Sequence, residues 1–307
     1  MDTPEVSVIV VSYNTRELTL QCLRTLEETF TGVPHEVIVV DNASADGSID
    51  AVASAFPEVR LLPLEVNVGF GRAVNHAAAM ASGEYLFLFN TDAEPIGDVL
   101  RTLVDFARAH PEHRIYTTRT LTEDGVDDDH SCHGLPSLWS LACFASGAST
   151  FFPRSALFNP ERLPAVDRSR VAEVPAVSGA AVLIDSTLFA ELKGFEPRYF
   201  MYSEDVDLSA RALERGARPV LVPEARVIHQ GGGSSGSVRQ RVMVLRGKAT
   251  YLRLRWSRPR ARAGTALLTV GIGARALGAR VTGRATYWRE VWAERQTWLA
   301  GWPEPHN

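Results

Sequence analysis

Apolar and polar positions along the first hundred residues follow two alternating patterns. Short unbroken apolar runs, VSVIVV (6–11), HEVIVV (35–40) and EYLFLF (84–89), are rich in β-branched or aromatic residues and end at polar clusters. Such runs predict strands buried on both faces. VRLLPL (59–64) predicts a weaker strand, because Pro63 confines it to an edge or a strand end. Between the runs lie stretches that predict helices: Glu17 to about Thr29, Ile49 to Phe56, the alanine-rich Gly71 to Ala81, and Ile96 to His110. Apolar strands separated by helices of this length predict right-handed βαβ units and a mostly parallel sheet covered on both sides. Ligands of such sheets sit beyond the carboxyl ends of the strands, so chemistry is expected there.

The pattern weakens from about Thr117 to Pro175, where an acidic cluster (Glu123 to Asp129) and many prolines predict a loop-rich insertion. It returns with AVLI (181–184), a helix around Ser186 to Leu192, a helix from Glu204 to Arg215, and the strand segments PVLVP (219–223) and RVIH (226–229). The glycine-rich GGGSSGS (231–237) then favours a mobile loop, and the remainder reads as helical.

Composition changes this picture in two places. Cys22, Cys132 and Cys143 are too few and too scattered for a disulfide framework or a zinc site, which makes a reducing compartment the expectation. The apolar run near the N-terminus is too short for a signal peptide, and no uncharged stretch is long enough to span a membrane. Charge is uneven: Arg239 to Arg289 hold thirteen Lys or Arg and no acid, so the rest carries −17 against an overall −4. A cationic end on an acidic body points to an anionic partner, nucleic acid or a membrane surface. A 12-residue uncharged stretch, AGTALLTVGIGA (263–274), interrupts the cations. Together with Tyr251, Trp256, Tyr287 and Trp288, it suits a helix lying in the membrane interface. The tail has no nucleic-acid recognition motif and no aromatic stacking pattern, so no nucleic-acid partner is expected. A helical cap with solvent-facing arginines is the plainer alternative.

Polar residues at strand ends supply the candidate chemistry. Asp41 and Asn42 follow the second strand, where a carboxylate can accept hydrogen bonds from a base or ribose, or simply form a local turn. Asn90, Thr91 and Asp92 end EYLFLF, where oxygen ligands suit Mg²⁺ or Mn²⁺ bridging a diphosphate. Glu204 and Asp205 open a helix after the aromatic run RYFMY (198–202). They serve as a general base with a supporting carboxylate, or only complement the helix dipole. Asp207 is expected to be structural. His229, at a strand end, is free to reach a metal. GFG (69–71) does not complete a nicotinamide-binding GxGxxG.

The order VSVIVVSYN, VIVVDNASADGS, NVGFGRAVNHA and YLFLFNTD resembles the nucleotide-binding half of a family 2 glycosyltransferase. SGAAVLI, GFEPRYFMYSEDVDLSAR and VPEARVIHQGGGSS are similar to the acceptor half of its rhamnosyltransferase-type branch. The resemblance covers residues 5 to 236. It implies an α/β chain with the GT-A fold, a single Rossmann-like domain over residues 1–236 with a mostly parallel central sheet. Residues 1–116 would be the nucleotide-sugar-binding half, 117–236 the acceptor half and 237–307 a basic amphipathic helical extension. It also implies site roles. Asp41 binds the base, Ser12 and Asn14 line the same end of the sheet, and Asn67 and Asn75 lie near ribose or diphosphate. Asp92 holds Mn²⁺ or Mg²⁺ with His229 as second ligand, and Asn90 stands where many relatives carry Asp. Asp205 is the catalytic base and Glu204 orients the acceptor. NTD in place of NPD and GFEP in place of GFDE depart from the branch pattern without removing a catalytic group.

These roles imply an inverting, metal-dependent glycosyltransferase that uses dTDP-L-rhamnose, by branch resemblance, or a UDP-hexose. The acceptor is a glycan or a polyprenyl-diphosphate-linked saccharide in cell-wall or surface-polysaccharide assembly. The expected location is cytoplasmic, peripheral at the inner face of the cell membrane through the basic tail. The competing class is a nucleotide-sugar-binding protein without turnover, which the intact Asp92, Glu204, Asp205 and His229 disfavour.

Overall fold

The computed structural model describes residues 4–129, 131–229, 236–282 and 286–304. Of the glycine-rich segment expected to form a loop (231–237), residues 231–235 lie outside the described residues. The first half follows the predicted alternation: β1 (Val6–Ser12), α1 (Arg16–Thr29), β2 (His35–Asp41), α2 (Ser48–Ala55), β3 (Arg60–Pro63), α3 (Phe70–Ala78) and β4 (Tyr85–Phe89). Next come β5 (Ala93–Ile96), α4 (Val99–Ala109) and β6 (Ile115–Leu121). The middle holds β7 (Cys132–His133), α5 (Leu138–Ser146), α6 (Ala148–Phe151), β8 (Ala172–Glu173) and β9 (Ala176–Val177). Then come β10 (Ala181–Asp185), α7 (Ser186–Glu191), α8 (Glu204–Glu214) and β11 (Val220–His229). Among the described residues the tail forms four helices: α9 (Val238–Arg255), α10 (Arg258–Thr282), α11 (Thr286–Ala293) and α12 (Arg295–Ala300).

The main sheet has the order β3-β2-β1-β4-β10-β6-β11-β5, with β8 also on β11. Strands β3, β2, β1 and β4 are parallel, as are β6 and β11, while β10 enters antiparallel between β4 and β6. The parallel half puts the ends of β1, β2 and β4 on one rim. Val8, Val10, Phe87 and Leu183 face a core shared with α1 and α4. Ile9, Ile38, Leu88 and Ile184 face the opposite core, built with α3, α7 and α8. Both faces are buried, which explains the continuous apolar runs. Helix α4 starts where the Asp98 side chain accepts the backbone N–H of Arg101 at 3.0 Å.

Three features depart from the sequence reading. Ala93–Ile96 is an edge strand paired antiparallel to β11, so the helix expected from Ile96 begins at Val99. Pro95 is tolerated because an edge strand has a side that needs no ladder bond. Ile115–Leu121, assigned in part to the irregular middle, is a central strand. Its buried Thr117, Thr118 and Thr120 hide the apolar signal, and Thr117 Oγ1 donates to the Ala181 carbonyl at 3.3 Å. PVLVP and RVIH form one strand whose register shifts between Val222 and Arg226.

The tail packs on the body. Leu245, Leu252, Trp256, Leu268, Val291 and Trp298 share a third core with Leu141 and Tyr199. Asp207, fully buried on α8, accepts from Arg211 Nε at 2.8 Å and from Arg255 Nε of α9 at 2.6 Å. Asp207 is thus structural, as expected. Lys248 pairs with Glu161 at 2.5 Å.

Candidate active site

The carboxyl ends of β1, β2 and β4 gather the expected residues. Parallel pairing sets Ser12 beside Asp41. Asp41 is buried, and its Oδ2 accepts the Ser44 N–H at 2.8 Å. Its Oδ1 is buried without a hydrogen-bond partner among the described residues, so an acceptor atom stands ready for a donor. Ser12 is itself buried, its hydroxyl 2.9 Å from that of Thr19. Asn14 takes a left-handed backbone (φ 52°), and its Oδ1 accepts the Ala45 N–H at 2.8 Å. Ser12 and Asn14 therefore brace the loops around Asp41. Tyr13 between them is 48% exposed, an aromatic face at this rim that the sequence reading passed over.

Asn42 and Asn67 organise the next turn. Asn42 Oδ1 accepts from Val68 N at 2.9 Å and its Nδ2 donates to the Gly69 carbonyl at 3.3 Å. Asn67 Oδ1 accepts the Gly69 N–H at 2.9 Å. Gly69 has φ 86°, and a Cβ there would lie 2.0 Å from the Phe200 carbonyl oxygen. Only glycine lets α3 begin this close to the aromatic loop. Asn75 requires a correction. Expected near the ribose or diphosphate, it brackets Phe195 instead, donating to its carbonyl and accepting its N–H, both at 2.8 Å. It lines a groove with Gly83 and Leu86, at the start of β4 and away from Asp92. Helix α3 runs back from the rim, which carries its later residues to the far end of the sheet.

The strand pairing that the sequence reading missed assembles the candidate metal pair. The register of β5 on β11 sets His229 opposite Ala93, the residue after Asp92. His229 Nε2 stands 3.2 Å from Asp92 Oδ1. That contact first, and the Asp92 charge with it, hold the imidazole pKa above its ordinary value against the opposing effect of burial. Two neighbouring ligands at about 2.1 Å from a shared divalent ion stand about 3 Å apart, so the pair fits. Among the described residues no group of three His, Cys, Asp or Glu side chains offers a fuller site. Further ligands would come from substrate oxygens or water. The Asn90 backbone closes the turn, its N–H donating to the Ala180 carbonyl at 2.9 Å. Behind it the Cys22 thiol is buried and pushed up to about 12 by burial first and by Asp92 second.

Helix α8 presents the two acids. Tyr202 and Ser203 both take left-handed backbone (φ 67° and 73°), strain that residues with a Cβ adopt only when held there. The holders come from both sides. Phe70 N donates to the Phe200 carbonyl at 3.0 Å, and Trp302 Nε1 of the tail donates to the Met201 carbonyl at 3.1 Å. Gly247 of α9 lies so near that a Cβ would stand 2.2 Å from the Tyr202 carbonyl oxygen. The loop so fixed places Asp205 half-buried, its Oδ1 accepting Val206 N at 2.8 Å and its Oδ2 3.4 Å from Gly179 N. Glu204 is buried with an unpartnered Oε2, and burial first, then Asp205, pushes its pKa up to about 8. The two neighbours thus differ in surroundings: Glu204 is buried, and burial favours its protonated form, while Asp205 is only half-buried. Sequence reasoning missed the roles of Gly247 and Trp302 because nothing local marks them.

The chain is similar to known glycosyltransferases in sequence and in fold. The profile described as Glycosyl transferase family 2 matches residues 7–162. The N-acetylglucosaminyl-diphospho-decaprenol L-rhamnosyltransferase of Mycobacterium tuberculosis is 31% identical over 233 residues, 71% of this chain and 74% of that protein. The O-antigen biosynthesis protein RfbC of Myxococcus xanthus is 28% identical over 239 residues, 76% of this chain but 18% of its own length. Among solved structures, a Pyrobaculum calidifontis mannosyltransferase in complex with GDP-Man and Mn²⁺ superposes with a TM-score of 0.59. It is 20% identical and aligns over 97% of this chain and 86% of its own. TarS of S. aureus in complex with UDP gives 0.56 at 17% identity, covering 96% and 78%. At these identities the structures speak for the fold, which is GT-A.

Proposed function

Since the chain belongs to glycosyl transferase family 2 and is a glycosyltransferase, we propose that it transfers L-rhamnose from dTDP-L-rhamnose to a saccharide on a polyprenyl diphosphate. The observation that carries this reading is the meeting of Asp41, Asp92, His229 and Asp205 around one rim of the sheet, in a chain 31% identical to a rhamnosyltransferase with such an acceptor. Asp41 Oδ1 accepts the imide N–H of the base, a donor that thymine and uracil share. A UDP-hexose donor would satisfy it equally. Asp92 and His229 would hold a divalent ion, Mn²⁺ or Mg²⁺, which when bound offsets the charge of the departing diphosphate. Asp205 takes the acceptor hydroxyl proton as that oxygen attacks the anomeric carbon, inverting its configuration. Glu204, buried beside Asp205 with burial favouring its protonated form, orients the acceptor. Asn67, Ser12 and Asn14 shape the loops that receive the nucleotide, and Asn90 turns β4 toward the metal pair. The lipid-linked acceptor brings the reaction to the inner face of the membrane, where the basic tail meets anionic lipid.

A donor screen tests the reading. The purified protein, with Mn²⁺ and a short-chain N-acetylglucosaminyl-diphospho-polyprenol, is expected to release dTDP from dTDP-L-rhamnose. Asp92→Ala should lose most of that release. Turnover of UDP-sugars alone would overturn the donor assignment, and equal rates with and without metal would remove the metal.

A further inference from the structure

We infer that the protein docks on anionic bilayer through an apolar face built jointly by α10 and the α5–α6 segment. This refines the membrane contact proposed above and rests on it. The cation count of the tail overstates what it offers to lipid. Five of the thirteen turn inward: Arg246 to the Gly301 carbonyl, Lys248 to Glu161, Arg253 to the Leu299 and Ala300 carbonyls, Arg255 to Asp207, and Arg275 to the Phe144 carbonyl.

The surface that the tail leaves exposed is a stripe. Arg258, Arg262, Ala266, Val270 and Ala274 succeed one another at four-residue spacing on the outer surface of α10, and Leu277 extends the row. Val270 is 59% exposed and Leu277 62%. Helix α10 lies against α5, and the Arg275 guanidinium joins it to the Phe144 carbonyl at 2.8 Å and to Thr150 Oγ1 of α6 at 2.8 Å. The residue after Thr150 is Phe151, which is 79% exposed. Phe152, Leu157 and Trp139 beside it are also more than half exposed. Trp139 and Phe152 both contact the Phe158 ring, and Trp139 Nε1 donates to the Leu157 carbonyl, so the aromatics are presented on an ordered base.

Exposed aromatic and aliphatic side chains in such number mark an interaction surface. Charge identifies the partner. Neither contributing segment, 131–160 nor 239–289, contains a single Asp or Glu, whereas Arg154, Arg258 and Arg262 are exposed within them. An apolar face whose two segments carry cations and no acid matches the interface of an anionic bilayer, with rings at headgroup level and arginines on phosphate. The insertion around 138–158, which carried no readable motif, thereby gains a role beside the tail. No described helix is long and apolar enough to cross a membrane, so the contact is one of surface docking.

The test is flotation of the full-length protein with vesicles of phosphatidylcholine alone or with phosphatidylglycerol. The triple variant Phe151→Ser/Val270→Ser/Leu277→Ser is compared with the control Val66→Ser, an exposed residue elsewhere. Parent and control should float with the anionic vesicles only, and the triple variant should bind about tenfold more weakly or worse. Arg154→Gln/Arg258→Gln/Arg262→Gln should lose binding at lower salt than the parent. Turnover of a water-soluble acceptor should be unchanged in the triple variant, which also shows that it folds. Absence of parent flotation would defeat the membrane contact. Parent-like flotation of the triple variant would defeat this face while leaving the contact standing. A triple variant that floats normally but turns a dimer into a monomer would make the face an interface between copies. Loss of turnover in the parent would count against the glycosyltransferase chemistry, whatever the flotation result.

Discussion

Glu204 and Asp205 are chain neighbours with opposite surroundings, and that difference has a measurable consequence. A glutamic acid in the unfolded chain ionises near pH 4.3. Burial and the adjacent Asp205 carboxylate keep the folded group protonated to about pH 8. Between those values the folded state holds a proton that the unfolded state has lost. The stability linked to this group is therefore complete below about pH 4 and declines as pH rises through the window, by at most about 1.4 kcal/mol per pH unit. Glu204→Gln cannot titrate. Denaturant unfolding from pH 5 to 8 should show the parent losing stability relative to this variant. A constant difference across the range would mean that Glu204 holds no extra proton in the folded state. The residue types were legible in the sequence; which of the two acids is buried was not. Both stand in the first turn of α8, and only the packing of Gly71 and Phe195 around Glu204 separates them. Asn75 misled for a related reason: its distance from the rim depends on which way α3 runs.

At the scale of elements, the site depends on two pieces with weak sequence signatures. Strand β5, AEPI, is short and carries a glutamate and a proline, so it reads as a turn. Pairing with β11 makes it a strand, and that pairing brings Asp92 to His229. Runs such as EYLFLF were legible because burial on both faces demands unbroken apolar sequence. Strand β6 was obscured because its buried threonines meet their needs through hydrogen bonds. Helix α9 is the second piece. It was read as a cationic extension, yet its Gly247 touches the strained Tyr202–Ser203 turn, and its Arg255 anchors the helix bearing the two acids. Gly247→Ala must displace that turn, because the new methyl meets backbone that cannot rotate away. Displacements near 1 Å at a reacting group can cost about 10²-fold in rate. Steady-state kinetics should show kcat reduced on that scale with donor KM little changed. Parent kinetics in a stably folded variant would mean that α9 does not position Asp205.

Taken whole, the molecule divides its tasks between ends of the sheet and between its charges. The acidic body carries the reaction rim, while the segments without acids, 131–160 and 239–289, come together through α5 and α10. The charge asymmetry was legible in the sequence, but its division between inward and outward cations was not, since that depends on tertiary partners such as Asp207 and Glu161. The proposed function turns on one event, removal of the acceptor proton by Asp205 beside a bound nucleotide-sugar. The most direct test is single-turnover transfer by Asp205→Asn, with donor affinity measured by calorimetry on the same preparation. The amide keeps the size of the side chain but cannot take the proton. Transfer should fall by about 10²–10⁴-fold while donor binding is retained. Transfer at near the parent rate would contradict the assignment of Asp205 as the base.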